Sequence, residues 1–164
     1  MDAGKGRDCS SAASGPLKRI ARSAIVEHPA DFLYALVDDI EAYPQFLPWC
    51  LAAQVHERAP GRAVATLTVG IKGIRQAFTT ENTNRPGESI DMNLIEGPFK
   101  RFAAAWRFTP LGPDATRIGF TLEYRFSSRL LARALEPLFS KIADTMVSSF
   151  GRRADALRGK ASTH

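Results

Sequence analysis

The residues here that could do chemistry are three histidines (His28, His56, His164), two cysteines (Cys9, Cys50) and scattered carboxylates. An acyl-transfer or hydrolytic triad needs a serine or cysteine nucleophile, a base beside it and an acid to orient that base. His28 falls at an expected helix start, His56 on an edge-side strand and His164 at the chain end, with no GxSxG-type motif near them. Cys50 has no histidine close by in sequence, so packing in the core is its expected role. The cysteines form no CxxC pair, and the histidines do not make a zinc cluster of ordinary spacing. Glu81, Glu96 and Glu123 fall on separate expected strands. They would matter only if the fold brought them into one cavity, and Arg75, Arg101, Arg107 and Arg125 are their ordinary charge partners. The reading is a noncatalytic protein with no catalytic residue, no metal and no required cofactor.

The apolar residues carry more information. The chain has 164 residues, of which 45% are hydrophobic and 24% charged, the balance of a single globular domain. No run approaches the roughly 18 apolar residues of a membrane-spanning helix. The formal net charge is +5, and all of the excess lies after Tyr124. There Arg125, Arg129, Arg133, Lys141, Arg152, Arg153, Arg158 and Lys160 face only Glu136, Asp144 and Asp155. Such a segment attracts the phosphates of RNA or of an anionic membrane surface, with Arg152, Arg153 and Arg158 as the candidate polyanion-binding residues. The plainer alternative is a solvated helix face.

Elements must position these residues. Residues 1–16 are small, polar and aperiodic, which predicts a disordered leader, and residues 159–164 predict a flexible tail. The domain is expected over 17–158. Ile20, Arg22, Ala24 and Val26 alternate with their neighbours as a first strand. His28-Pro29-Ala30-Asp31 then opens a helix with Pro29 at its first position, and Phe32, Leu33, Leu36 and Val37 form its apolar face. Asp38 and Asp39 are expected to cap a second short helix, Ile40–Tyr43, that Pro44 ends. Turn signals at regular spacing then separate segments of period two, which predicts an antiparallel meander of about six strands. From Arg129 the period is helical, and Leu131, Leu135, Leu138, Ile142, Met146, Phe150, Ala154 and Leu157 make one stripe. Ser127 or Ser128 is its expected N-cap, and Pro137 is expected to kink or split it. The outcome is an α+β domain in which a curved seven-stranded antiparallel sheet wraps a long C-terminal helix.

Three segments in this order resemble one known superfamily. They are Asp38-Asp39-Ile40-Glu41-Ala42-Tyr43-Pro44-Gln45-Phe46-Leu47-Pro48-Trp49-Cys50, then Leu94-Ile95-Glu96-Gly97-Pro98-Phe99-Lys100-Arg101 with Trp106-Arg107-Phe108, and then Leu138–Val147 with Phe150 and Arg153. From about Leu17 to Leu157 the chain resembles the START/Bet v 1-like helix-grip superfamily. The nearer branch is the coenzyme Q-binding and polyketide-cyclase-like one, which includes RatA-type ribosome-association toxins. The resemblance implies a cavity between sheet and terminal helix. Its expected lining is Phe46, Leu47, Trp49, Met92, Leu94, Phe102, Trp106, Phe120, Leu122, Leu131, Leu135, Phe139, Ile142 and Met146. The first three would form a lid, stiffened by Pro44 and Pro48. Three functions follow as expectations. The favoured one is a carrier or chaperone for ubiquinone or a related isoprenoid lipid, supporting respiration. The alternatives are a ribosome- or rRNA-binding toxin that blocks subunit association, and a polyketide cyclase or aromatase. The expected location is cytoplasmic, with peripheral contact at an anionic inner membrane.

Overall fold

A computed structural model describes residues 15–158. The expected leader therefore lies outside the described residues except for Gly15 and Pro16, and the expected tail lies wholly outside them. Strand β1 (Lys18–Val26) is followed by helix α1 (Ala30–Asp38) and a 3₁₀ helix (Ile40–Gln45). The meander is β2 (Cys50–Ala59), β3 (Arg62–Ile71), β4 (Ile74–Arg85), β5 (Ser89–Glu96), β6 (Phe99–Gly112) and β7 (Ala115–Phe126), and helix α2 (Arg129–Arg158) completes the chain. The strands form one antiparallel sheet in the order β1-β7-β6-β5-β4-β3-β2. Consecutive strands of the meander are neighbours because their connections are too short for anything else. β1 closes the far edge by pairing with β7, Lys18 opposite Tyr124 and Val26 opposite Thr116.

The two periodicities converge on one core. Ile118, Phe120, Leu122, Tyr124 and Phe126 of β7 are all buried, and so are Leu135, Leu138, Phe139, Ile142, Met146 and Phe150 of α2. Phe139 reaches Phe78, Phe99, Tyr124 and Phe126 at ring-centroid distances of 6.0, 5.2, 5.7 and 5.4 Å. Trp106, 1% exposed, meets Phe120 at 4.9 Å and Phe150 at 5.1 Å. Edge-to-face and tilted arrangements predominate in these pairs, as the ring quadrupole favours.

Several local details differ from the sequence expectations. Pro29 is the N-cap of α1 and not its first helical residue. Pro44 lies inside the 3₁₀ helix, which runs on to Gln45. Neither Asp38 nor Asp39 caps a helix with its side chain. Asp38 instead accepts hydrogen bonds from Arg58 at 3.0 and 3.1 Å and from Asn84 at 2.7 Å, tying α1 to the sheet. Helix α2 is not split at Pro137, which sits on its exposed side. There the carbonyl of Arg133, left without its helical partner, can turn to water. Ser128 does cap α2, its hydroxyl accepting from the Leu131 N–H at 3.1 Å. Leu157 is exposed, because the stripe outruns the sheet it covers.

The outer face of the sheet is held by charge. Glu123 accepts from Arg19 at 2.5 Å and from Arg101 at 2.6 Å, linking β1, β7 and β6. The two guanidinium groups, Arg101 foremost, hold its carboxyl below the usual range. Unfolded, this carboxyl titrates near pH 4.3, so its contribution is complete above that and disappears as the pH falls through the lower folded value. Melting temperatures followed from pH 6 to pH 3 should therefore fall less steeply in Glu123→Gln than in the wild type. In the core, Phe139→Ala should cost about 3–5 kcal/mol in urea unfolding, because it opens a cavity within the aromatic cluster.

Candidate functional site

An apolar cavity lies between α2 and the sheet, where the Phe139 and Trp106 aromatic groups meet. Its volume is about 50 Å³. Trp49, Met92, Phe102, Trp106, Phe120, Leu122, Phe139, Ile142 and Met146 line it as expected. Tyr43, Leu67, Phe78, Thr80 and Ala104 also line it and were missed. The alternation of β3, β4 and β6 points Leu67, Phe78, Thr80 and Ala104 to that face, so the signal was present in sequence. Five expected residues lie elsewhere. Leu47 and Leu135 are buried in the core, and Leu94 and Leu131 are half-buried against it. Phe46 packs on Phe150 at 5.1 Å and under the Arg153 guanidinium at 4.9 Å, so it anchors the loop.

The cavity's polar content is small. Thr80 donates its hydroxyl to Asn82 Oδ1 at 2.8 Å. Trp49 is buried, and its indole N–H has no hydrogen-bond partner among the described residues. Burial raises the Tyr43 hydroxyl well above its ordinary range, and that hydroxyl donates to the Val37 carbonyl at 2.5 Å. The three candidate glutamates do not line this cavity. Glu81 pairs with Arg62, Glu123 with Arg19 and Arg101, and Glu96 is exposed at the end of β5. For Glu81 and Glu123 that placement follows from their phase, one residue off the buried positions of their strands. Glu96 instead shares the parity of Ile90 and Met92, and lies beyond the register shift that pairs Thr80 with Leu94 and Thr79 with Glu96.

His28 is fully buried, with Nε2 2.6 Å from Asp155 Oδ1, and it joins the start of α1 to the end of α2. His56 pairs with Thr66 on the edge hairpin at 2.7 Å. Cys50 is buried and its thiol is pushed up to about 11 by desolvation, so it is protonated at neutral pH. His164 and Cys9 lie outside the described residues. Among the described residues no group of three or more His, Cys, Asp or Glu side chains is placed to hold a metal. No helix among them is long and apolar enough to cross a membrane.

The cations sort into two sets. Arg153 donates to Gln45 at 2.9 Å and covers Phe46, and Arg158 lies over Phe32 at 5.3 Å. Both therefore help clamp α2 to the elements before β2. Arg152 is exposed and reaches only Ser149, at 3.5 Å. The other set was not singled out from sequence. Lys18, Arg129 and Arg133 surround Leu130, which is 77% exposed, in an open hollow at the start of α2. The hollow's one acid, Glu136, accepts from the Tyr124 hydroxyl at 2.7 Å.

Comparison with known proteins agrees with this fold. A curated relative from Pseudomonas aeruginosa, "Ribosome association toxin RatA", is 44% identical over 140 residues, covering 85% of this chain and 97% of that one. The "Coenzyme Q-binding protein COQ10, mitochondrial" of Dictyostelium discoideum is 26% identical over 142 residues, covering 84% of this chain and 69% of that one. A solved START superfamily protein from Mycobacterium smegmatis superposes with a TM-score of 0.72 at 24% identity, covering 85% of this chain and 98% of that one, a likeness of fold. The family model described as polyketide cyclase / dehydrase and lipid transport matches residues 26–150. With its helix-grip architecture and this match across most of the domain, the chain belongs to the polyketide cyclase / dehydrase and lipid transport family.

Proposed function

We propose that this protein is a noncatalytic ribosome-binding factor that opposes association of the ribosomal subunits, a reading supported by its similarity to a Pseudomonas protein named a ribosome association toxin. The observation that carries the reading is the cluster of Lys18, Arg129 and Arg133, whose side chains have no ion-pair or hydrogen-bond partner among the described residues. Cations already satisfied within the fold have little to offer a phosphate, whereas free ones release counterions from RNA when they bind it. The near-filled interior supports the same reading, since it leaves the surface to carry recognition. This function needs no cofactor and places the protein in the cytoplasm.

A second reading is favoured by the apolar lining around Trp49, Trp106 and Phe139. It is binding of ubiquinone or a related isoprenoid lipid between α2 and the sheet, with the protein visiting the inner membrane. The present cavity is well below the roughly 150 Å³ that admits a benzene ring, so this reading requires α2 to move off the sheet.

The first reading is tested on purified ribosomes. Wild-type protein should shift joined ribosomes toward free subunits in sucrose gradients. The triple variant Lys18→Gln/Arg129→Gln/Arg133→Gln should lose about tenfold or more in affinity at low salt and show a shallower salt dependence. Unchanged binding by a folded triple variant would overturn the assignment. For the second reading, a short-tailed ubiquinone should quench Trp49 and Trp106 fluorescence saturably, and absence of quenching would remove it.

A further inference from the structure

A separate groove lies outside the cavity, between the β3–β4 turn, the start of β2 and the middle of α2. Its volume is about 480 Å³, within the range of small-molecule sites. Its wall is divided by chemistry. Leu51, Ile71 and Ile74 supply apolar surface, with Leu51 44% and Ile74 38% exposed. Lys72, Arg75 and Lys141 supply three cations, and no carboxylate lines the groove. None of the three side chains has a charge or hydrogen-bond partner among the described residues.

Three further features belong to this place. Gly70 forms part of the lining, and its N–H donates to the Trp49 carbonyl at 2.9 Å. A Cβ there would lie 2.8 Å from Leu51 Cδ1 and 2.7 Å from the Ile74 carbonyl oxygen, so a larger residue would crowd the groove. Lys72 has φ +49°, the one positive value on a non-glycine residue among the described residues, and Gly73 follows at +85°. A two-residue hairpin turn of this kind favours Asn-Gly, so lysine at its first position is held against local preference. Trp49, 3% exposed, lines both the groove and the inner cavity, and its indole N–H lacks an acceptor among the described residues. A buried donor without a partner is costly, and a ligand oxygen reaching that wall would satisfy it.

We propose that this groove binds a single-chain anionic amphiphile, of which a fatty-acid carboxylate is the simplest case. Its head rests on Lys72, Arg75 and Lys141, and its chain lies along Leu51, Ile71 and Ile74 against Trp49. Charge complementarity selects the anion. The adjoining exposed apolar wall selects a chain over a bare phosphate or a nucleic-acid backbone, which would leave that wall in water. The proposal is independent of the ribosome reading, because its cations are different ones.

The test uses the full chain with laurate below its micellar concentration, and with dodecanol, inorganic phosphate and a short RNA oligonucleotide as controls. Laurate should bind saturably and at least about tenfold more tightly than dodecanol, as three modest charge interactions predict, and phosphate alone should not bind measurably. The triple variant Lys72→Gln/Arg75→Gln/Lys141→Gln should lose that preference. Lys72→Asn provides an independent check, because it should raise the melting temperature by relieving the turn while weakening laurate binding. Trp49→Phe, which keeps a ring but removes the N–H, should also weaken it. Equal affinity for laurate and dodecanol, or unchanged laurate binding in Lys72→Asn and the triple variant, would overturn the proposal. So would binding of the oligonucleotide but not of laurate through these three cations.

Discussion

The fold depends on one requirement: a single helix must cover the apolar concave face of a seven-stranded sheet. That face is rich in aromatic rings, which bury large areas and interlock at defined angles. Helix α2 meets it with Leu135, Leu138, Phe139, Ile142, Met146 and Phe150, all buried. The curvature of the sheet could leave a large hollow beneath the helix, but Phe78, Phe99, Phe102 and Phe139 converge and close it. What remains is about 50 Å³. Interiors pack to crystal-like density unless function requires otherwise, and this one comes close to that limit.

The same helix distributes charge around the molecule. Its C-terminal half turns toward α1 and the proline-bounded loop, so Arg153 and Arg158 are spent on Phe46 and Phe32, and Asp155 on His28. At its first turns Arg129 and Arg133 line an open hollow whose one acid, Glu136, is engaged by the Tyr124 hydroxyl. Neither arginine has an ion-pair partner among the described residues. Cations engaged in cation–π and ion-pair contacts contribute to holding the helix down. Cations without partners keep their field for a second molecule. The basic excess read from the sequence thus has two roles, separated along one helix axis.

Family membership sets the scaffold and not the ligand, because one fold hosts unlike activities. Here the polar groups of the lining are Thr80, the Tyr43 hydroxyl and the Trp49 indole N–H, and Glu81 and Glu123 are paired with arginines outside the cavity. General acid–base chemistry would need such groups within hydrogen-bond reach of a substrate. The shared wall at Trp49 makes the boundary between surface groove and interior one side chain thick.

Much of this was legible in the amino-acid order. Alternation in β7 and the helical stripe after Arg129 named most of the core, because side-chain direction in a strand or helix is fixed by period alone. Glu123, one residue out of phase with Leu122 and Tyr124, was legible by the same rule as an outward residue. The hairpin turns fixed strand order, since short connections leave only antiparallel neighbours. Other properties came only from the assembled chain. The volume under α2 depends on how rings from β4, β6, β7 and α2 fit together, a sum over long-range contacts that no local pattern encodes. Whether an arginine is free or engaged depends on what lies across from it. Arg153 and Arg133 look alike in sequence, and only the packing of α1 and its loop against one end of α2 makes them different.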